Sequence, residues 1–134
     1  MIITLCGSLS FKQQMLIAGK QLEAVGHTIL YPAGISDPTL TTSASSAQEL
    51  RLKHDLIARH FRKIEQSEAI LIINCDKNGI RNYIGGNTLM EIGFAHVLRK
   101  KIFLLNPIPD IEFYKSEIEA VTPIIINNDI SKVA

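Results

Sequence analysis

Residues 83–96 read YIGGNTLMEIGFAH and hold the side chain best placed to do chemistry, Glu91. Its neighbours Met90, Ile92 and Phe94 are apolar, so the carboxylate is expected in partly dry surroundings. Near a helix start the positive end of the helix dipole favours the ionised form. An ionised carboxylate beside a sugar is a nucleophile or a stabiliser of an oxocarbenium ion, not a general acid. Thr88-Leu89-Met90-Glu91 also has the form of a capping box, in which Thr88 and Glu91 satisfy each other's free backbone N–H groups. Both roles stay open for Glu91 at this level. Gly93, two residues on, costs about 1 kcal/mol against alanine in a helix interior, and close packing is the expected reason for it.

Two small-residue turns accompany this glutamate. Cys6-Gly7-Ser8 follows an apolar run, and Gly85-Gly86-Asn87-Thr88 precedes the glutamate itself. Each is expected to present free backbone N–H groups at a helix start, which suits a phosphate or carboxylate. Glycine lets backbone approach a ligand closely, although glycine at strand–helix turns is also common for structural reasons alone.

Other chemistries are poorly supported. There is no G-x-G-x-x-G, no G-x-x-x-x-G-K-[ST] and no G-x-S-x-G elbow, which argues against dinucleotide, Walker-type and serine-hydrolase sites. The first strand does not end in paired acids, as a phospho-receiver would require. His27, His54, His60 and His96 show no metal-ligand spacing, and Cys6 and Cys75 cannot form a metal cage by themselves. No metal and no cofactor are expected. The two cysteines are read as packing residues, placed close together at the ends of neighbouring strands. A net charge of +1 gives no argument for a nucleic-acid polymer or a membrane surface. The longest apolar runs are too short to span a bilayer, no signal peptide is read, and a reduced cytoplasmic setting is the expectation.

Strand and helix patterns alternate around these residues. Strands are expected at 2–6, 27–31, 69–74, 101–105 and 123–126. Phe11, Met15, Ala18, Leu22 and Val25 mark a first amphipathic helix, opened by a Ser10-x-x-Gln13 box and closed by Gly26. A second helix opens at Ser46-x-x-Glu49 and carries Leu50, Ile57, Phe61 and Ile64 on one face. A third runs over about 88–99, and a short one over 112–119. Residues 32–46, rich in Pro, Gly, Ser and Thr, read as a long loop of the kind that often binds ligands. The 134 residues form one domain, 46% apolar and 20% charged. The pattern predicts an α/β fold, a three-layer sandwich around a flavodoxin-like five-stranded parallel sheet of order 2-1-3-4-5. Ligands then bind beyond the strand ends where the order reverses, between the first and third strands.

GGNTLMEIGFA resembles the G-T-x-x-E-x-G-x-A segment of the nucleoside 2-deoxyribosyltransferase superfamily, which includes 2′-deoxynucleoside 5′-phosphate N-hydrolases. Ile3 to Ser8 resembles the Y-F-C-G-S strand of the hydrolase branch, and Ile64 to Ile70 resembles its helix-to-strand entry. The resemblance implies a flavodoxin-like fold, Glu91 as nucleophile on the anomeric carbon, and Gly7-Ser8 with Gly86-Asn87-Thr88 holding the sugar and its 5′ end. It also implies a homodimer or larger, with sites near subunit contacts. Thr4 stands where the family has a tyrosine, His60 where many members have an aspartate, and Gly85 where transferases have another. Asp76 matches a further frequent acid, a contact for sugar or base, and is equally at home as an Asx-turn residue. Gly85 to Glu91 is also similar to the P-G-G-x-G-T-x-x-E motif of cytokinin-activating phosphoribohydrolases.

The expected function is cleavage of the N-glycosidic bond of a nucleoside or nucleoside 5′-monophosphate, with hydrolysis favoured over base transfer. Glu91 and Asp76 are the catalytic candidates; Cys6, Gly7, Ser8, His60, Gly85, Gly86, Asn87 and Thr88 are the substrate contacts. The alternatives are a non-catalytic nucleotide-binding module on the same fold and a structural subunit in which Glu91 is only a cap.

Overall fold

The computed structural model describes residues 1–36 and 46–134, with the side chain of Ser46 left out. Strands β1 (Ile2–Cys6), β2 (Thr28–Leu30), β3 (Ala69–Ile72), β4 (Lys101–Leu104) and β5 (Ile124–Ile125) form one parallel sheet of order β2-β1-β3-β4-β5. This is the order expected from the sequence, with the reversal between β1 and β3. The central strand β3 is buried at every position, which explains its unbroken apolar run.

Side chains alternate across the sheet and feed two cores. On one face, α1 (Lys12–Ala24) lays Met15, Ala18 and Leu22 over Ile3, Leu5, Leu71 and Phe103. On the other, Ile64 of α3 (Ser46–Gln66), Ile92 and Ala95 of α4 (Gly86–Val97) and Ile118 of α5 (Lys115–Ala120) cover Cys6, Ile70, Ile72 and Leu104. Cys6 and Cys75 therefore belong to opposite faces, Cys6 under α4 and Cys75 against the α1 core, and both are free thiols. The nearness expected from their places at strand ends fails because the pleat turns them apart.

Helix starts differ from the sequence reading. Ser8, not Ser10, supplies the cap, its hydroxyl accepting from the Ser10 N–H at a 3-10 turn over Leu9–Phe11. At α4 the N-cap is Gly85, extended and without a side-chain cap bond, so Thr88 stands inside the first turn rather than before it. Gly26 does close α1 in a left-handed conformation, at φ 100°. The 32–46 segment begins with a short helix, α2 (Ala33–Ser36), and residues 37–45 lie outside the described residues. Among the described residues no helix is long and apolar enough to cross a membrane.

Beyond β3 and β4, buried Asn74 joins the two strand ends. Its amide donates to the Asn106 and Pro107 carbonyls and accepts from the Asn106 N–H at 2.9 Å. This pairing fixes the floor of the sheet's C-terminal edge, where the site lies.

Candidate functional site

Three elements bring one polar group each to the point where the strand order reverses. The buried stripe of α4 is Thr88, Glu91, Ile92 and Ala95, a spacing of three, one and three that places Glu91 inward. The stripe of α3 that carries Ile57, Phe61 and Ile64 also contains His60, which is buried. Phe61 and Phe94 meet edge-to-face, ring centres 5.1 Å apart, and lock α3 against α4. Between the helices, Cys6 ends β1 with no exposed surface. His60 Nε2 lies 3.3 Å from Cys6 Sγ and 3.3 Å from Glu91 Oε2.

Glu91 is thus not a cap. The helix dipole was expected to keep it ionised, but burial outweighs that: its pKa is pushed up to about 8, with the Cys6 thiol pulling the other way. Burial, aided by Lys63, lowers His60 to about 4, against a hydrogen bond to the Leu5 carbonyl that favours the protonated ring. Burial and the Glu91 carboxylate push the Cys6 thiol well above its ordinary value. At neutral pH the cluster rests as thiol, neutral imidazole and mostly protonated carboxylic acid.

Three cavities meet beside the cluster, and Asn87 lines all of them. A pocket of about 90 Å³ reaches Glu91 and His60 and is closed by Gly7, Leu9, Pro32, Ala33, Gly34 and Leu56. A polar cleft of about 240 Å³ runs over Gly7, Ser8, Lys77, Tyr83, Gly85, Gly86, Asn87 and Thr88 at the start of α4. A wider apolar groove follows Leu50, Leu52, Lys53, Leu56 and Ile57 along α3. Gly7 is obligatory here: at φ 149° a β-carbon would lie 2.7 Å from the Ile73 carbonyl oxygen.

Of the residues expected from the sequence, Cys6, Gly7, Ser8, His60, Gly85, Gly86, Asn87, Thr88 and Glu91 come together at this edge. Asp76 does not. It is exposed and its Oδ1 accepts from the Asn82 N–H at 2.9 Å, shaping the 76–82 loop, and it lines none of the three cavities. Thr4 is buried and bonded to Ser67 Oγ at 2.5 Å, so it does not orient Glu91 in the way a tyrosine could. Lys77 was missed. Its ammonium donates to Ser8 Oγ at 2.8 Å and sits 5.3 Å from the centre of the Tyr83 ring. Nothing in its sequence surroundings marks it, because the contact joins residues 69 positions apart.

Comparison with solved structures follows this geometry. A 2-deoxyribosyltransferase from Bacillus psychrosaccharolyticus superposes with a TM-score of 0.55 at 16% identity, over 78% of this chain and 71% of that one. The Clostridium botulinum CMP N-glycosidase BcmB gives 0.55 at 17% identity, over 95% and 90%. This chain shares its fold with both enzymes. A conserved protein from Enterococcus faecalis V583 also superposes, with a TM-score of 0.55 at 12% identity over 90% of this chain and 73% of that one. No protein-family model and no curated protein matches the chain.

Proposed function

We propose that this protein cleaves the N-glycosidic bond of a nucleoside or nucleoside 5′-monophosphate, with Glu91 as nucleophile and water as the final acceptor. One observation carries the reading: a buried carboxylate opens onto a small pocket that adjoins both a polar cleft and an apolar groove. The small pocket suits the sugar, the groove along α3 the base, and the cleft at the start of α4 the 5′ end. There the Lys77 ammonium, the Ser8 hydroxyl and the free N–H groups of α4 would meet a phosphate. The two enzymes that share the fold, a 2-deoxyribosyltransferase and a CMP N-glycosidase, support chemistry at this bond.

The resting protonation state defines the first step. Glu91 first gives up its proton to solvent, and the carboxylate so formed beside neutral His60 is the reactive state. A Glu91 oxygen then bonds to C1′ as the C1′–N bond breaks, and the base leaves with the bonding electrons and takes up a proton. Water attacks C1′ of the glycosyl ester, releasing the sugar and returning the carboxylate and one proton to the cluster. Net, one water is consumed and one base and one sugar are released.

A 2′-deoxy-2′-fluoroarabino nucleoside tests the mechanism directly, because fluorine slows loss of the ester. Intact-mass spectrometry is expected to show one glycosyl adduct, mapped by peptide sequencing to Glu91. An adduct on another residue removes Glu91 from the role. A non-catalytic nucleotide-binding module is the second reading, favoured by the diversion of Thr4 to Ser67. It predicts thermal stabilisation by nucleotides with neither adduct nor turnover.

A further inference from the structure

Cys6, His60 and Glu91 also form a donor set that the proposed reaction does not need in full. We propose that these three side chains bind one divalent transition-metal ion of the zinc class, held between β1, α3 and α4. One sulfur, one nitrogen and one carboxylate oxygen lie within 4.8 Å of one another, all buried. Zinc takes these three ligand types, and sites with three protein ligands keep a fourth position open.

Two of the three separations match a tetrahedral centre, and the third lies within 4.8 Å. Zn–S of about 2.3 Å and Zn–N and Zn–O of about 2.0 Å at tetrahedral angles place sulfur and nitrogen about 3.5 Å apart, and nitrogen and oxygen about 3.3 Å apart. Both separations from His60 Nε2 are 3.3 Å. Hydrogen-bonded neighbours and metal ligands share this range, so distance alone does not choose between them. Two further considerations favour an ion. Each ligand stands on regular structure, Cys6 at the end of β1, His60 in α3 and Glu91 in α4, which fixes the geometry better than loops would. A thiolate, a carboxylate and a neutral imidazole around a dication sum to zero charge, which a buried centre tolerates. The fourth position would face the pocket of about 90 Å³ that His60 and Glu91 line.

Ion binding stands independently of the glycosidase reading. Where that reading holds, the ion engages the nucleophile and is an inhibitor. The test is titration of chelator-treated protein with zinc chloride, followed by calorimetry, and with cobalt chloride, followed by absorption. One ion per chain is expected, with a thiolate-to-cobalt charge-transfer band in the near ultraviolet. Cys6→Ser should abolish that band and weaken zinc at least tenfold, while Cys75→Ser keeps both, folding being checked by circular dichroism. If Cys6→Ser does not fold, His60→Gln is expected to weaken zinc by the same tenfold. No stoichiometric binding to folded wild-type protein overturns the site. So does a charge-transfer band that survives Cys6→Ser or disappears in Cys75→Ser, or zinc affinity unchanged in the folded variant.

Discussion

Stability should fall as pH rises from 6.5 to 8, and Glu91→Gln should remove the fall. In the folded chain the Glu91 pKa is about 8 and that of His60 about 4, against ordinary values of 4.5 and 6.5. A carboxyl raised in this way loses stability as pH rises, since the unfolded chain gives up its proton first. An imidazole lowered in this way loses stability as pH falls, since the unfolded chain takes up its proton first. Between pH 4.5 and 6.5 the two effects cancel: the folded pair holds one proton on Glu91 and the unfolded pair one on His60. From 6.5 to 8 only the folded pair keeps a proton. At about 1.4 kcal/mol per pH unit, the loss over that window is about 2 kcal/mol. Urea unfolding of chelator-treated protein at pH 6.5 and 8 measures it. The difference between wild type and Glu91→Gln isolates the cluster from other titrating groups. A wild-type decline matched by the variant would refute the assignment of the resting proton to Glu91.

The same protonation state has a kinetic face: with a pKa of about 8, only about a tenth of Glu91 is ionised at pH 7. The kcat/KM for base release should therefore rise roughly tenfold from pH 6 to 7 and level off above 8; a flat profile contradicts it. Lys77→Met should lower kcat/KM for a 5′-monophosphate at least tenfold, about 1.4 kcal/mol, and leave the unphosphorylated nucleoside unchanged. An equal loss on both would place Lys77 outside the 5′ contact. Asp76→Ala should leave turnover within about twofold and loosen only the 76–82 loop, which hydrogen exchange at the Asn82 amide would show. Gly93 is exposed, and an added β-carbon meets nothing within 4 Å, so the expected close packing is not found among the described residues. Gly93→Ala should stabilise the chain by about 1 kcal/mol in urea unfolding, and destabilisation would point to a contact with a second copy.

The sheet was legible because its signals are local. The run Ala69 to Ile72 is buried on both faces, and the alternation of strand and helix patterns points to a parallel sheet. The two turns at Gly7 and Gly85 were legible for the same reason. Partly dry surroundings were expected for Glu91, but a coincidence of spacing left a cap equally open. Thr88 and Glu91 form a capping pattern in sequence, but Gly85 opens the helix one turn earlier and the same three-residue spacing becomes a buried stripe. His60, Cys6 and Glu91 were each expected at the site, but not their contact with one another. Cys6 and His60 are 54 residues apart, and no spacing rule reaches across that distance. A carboxylate at a strand end looks the same in sequence whether it meets a ligand or, as Asp76 does here, the Asn82 N–H.

The central claim is that Glu91 breaks a base–sugar bond. Pure protein incubated with ribo- and deoxyribonucleosides and their 5′-monophosphates, with free base followed by chromatography, tests it most directly. The account predicts base release from at least one member of the panel by wild type, and none from Glu91→Gln of equal fold. Release that persists in Glu91→Gln, or no release from folded wild-type protein across the whole panel, would contradict it.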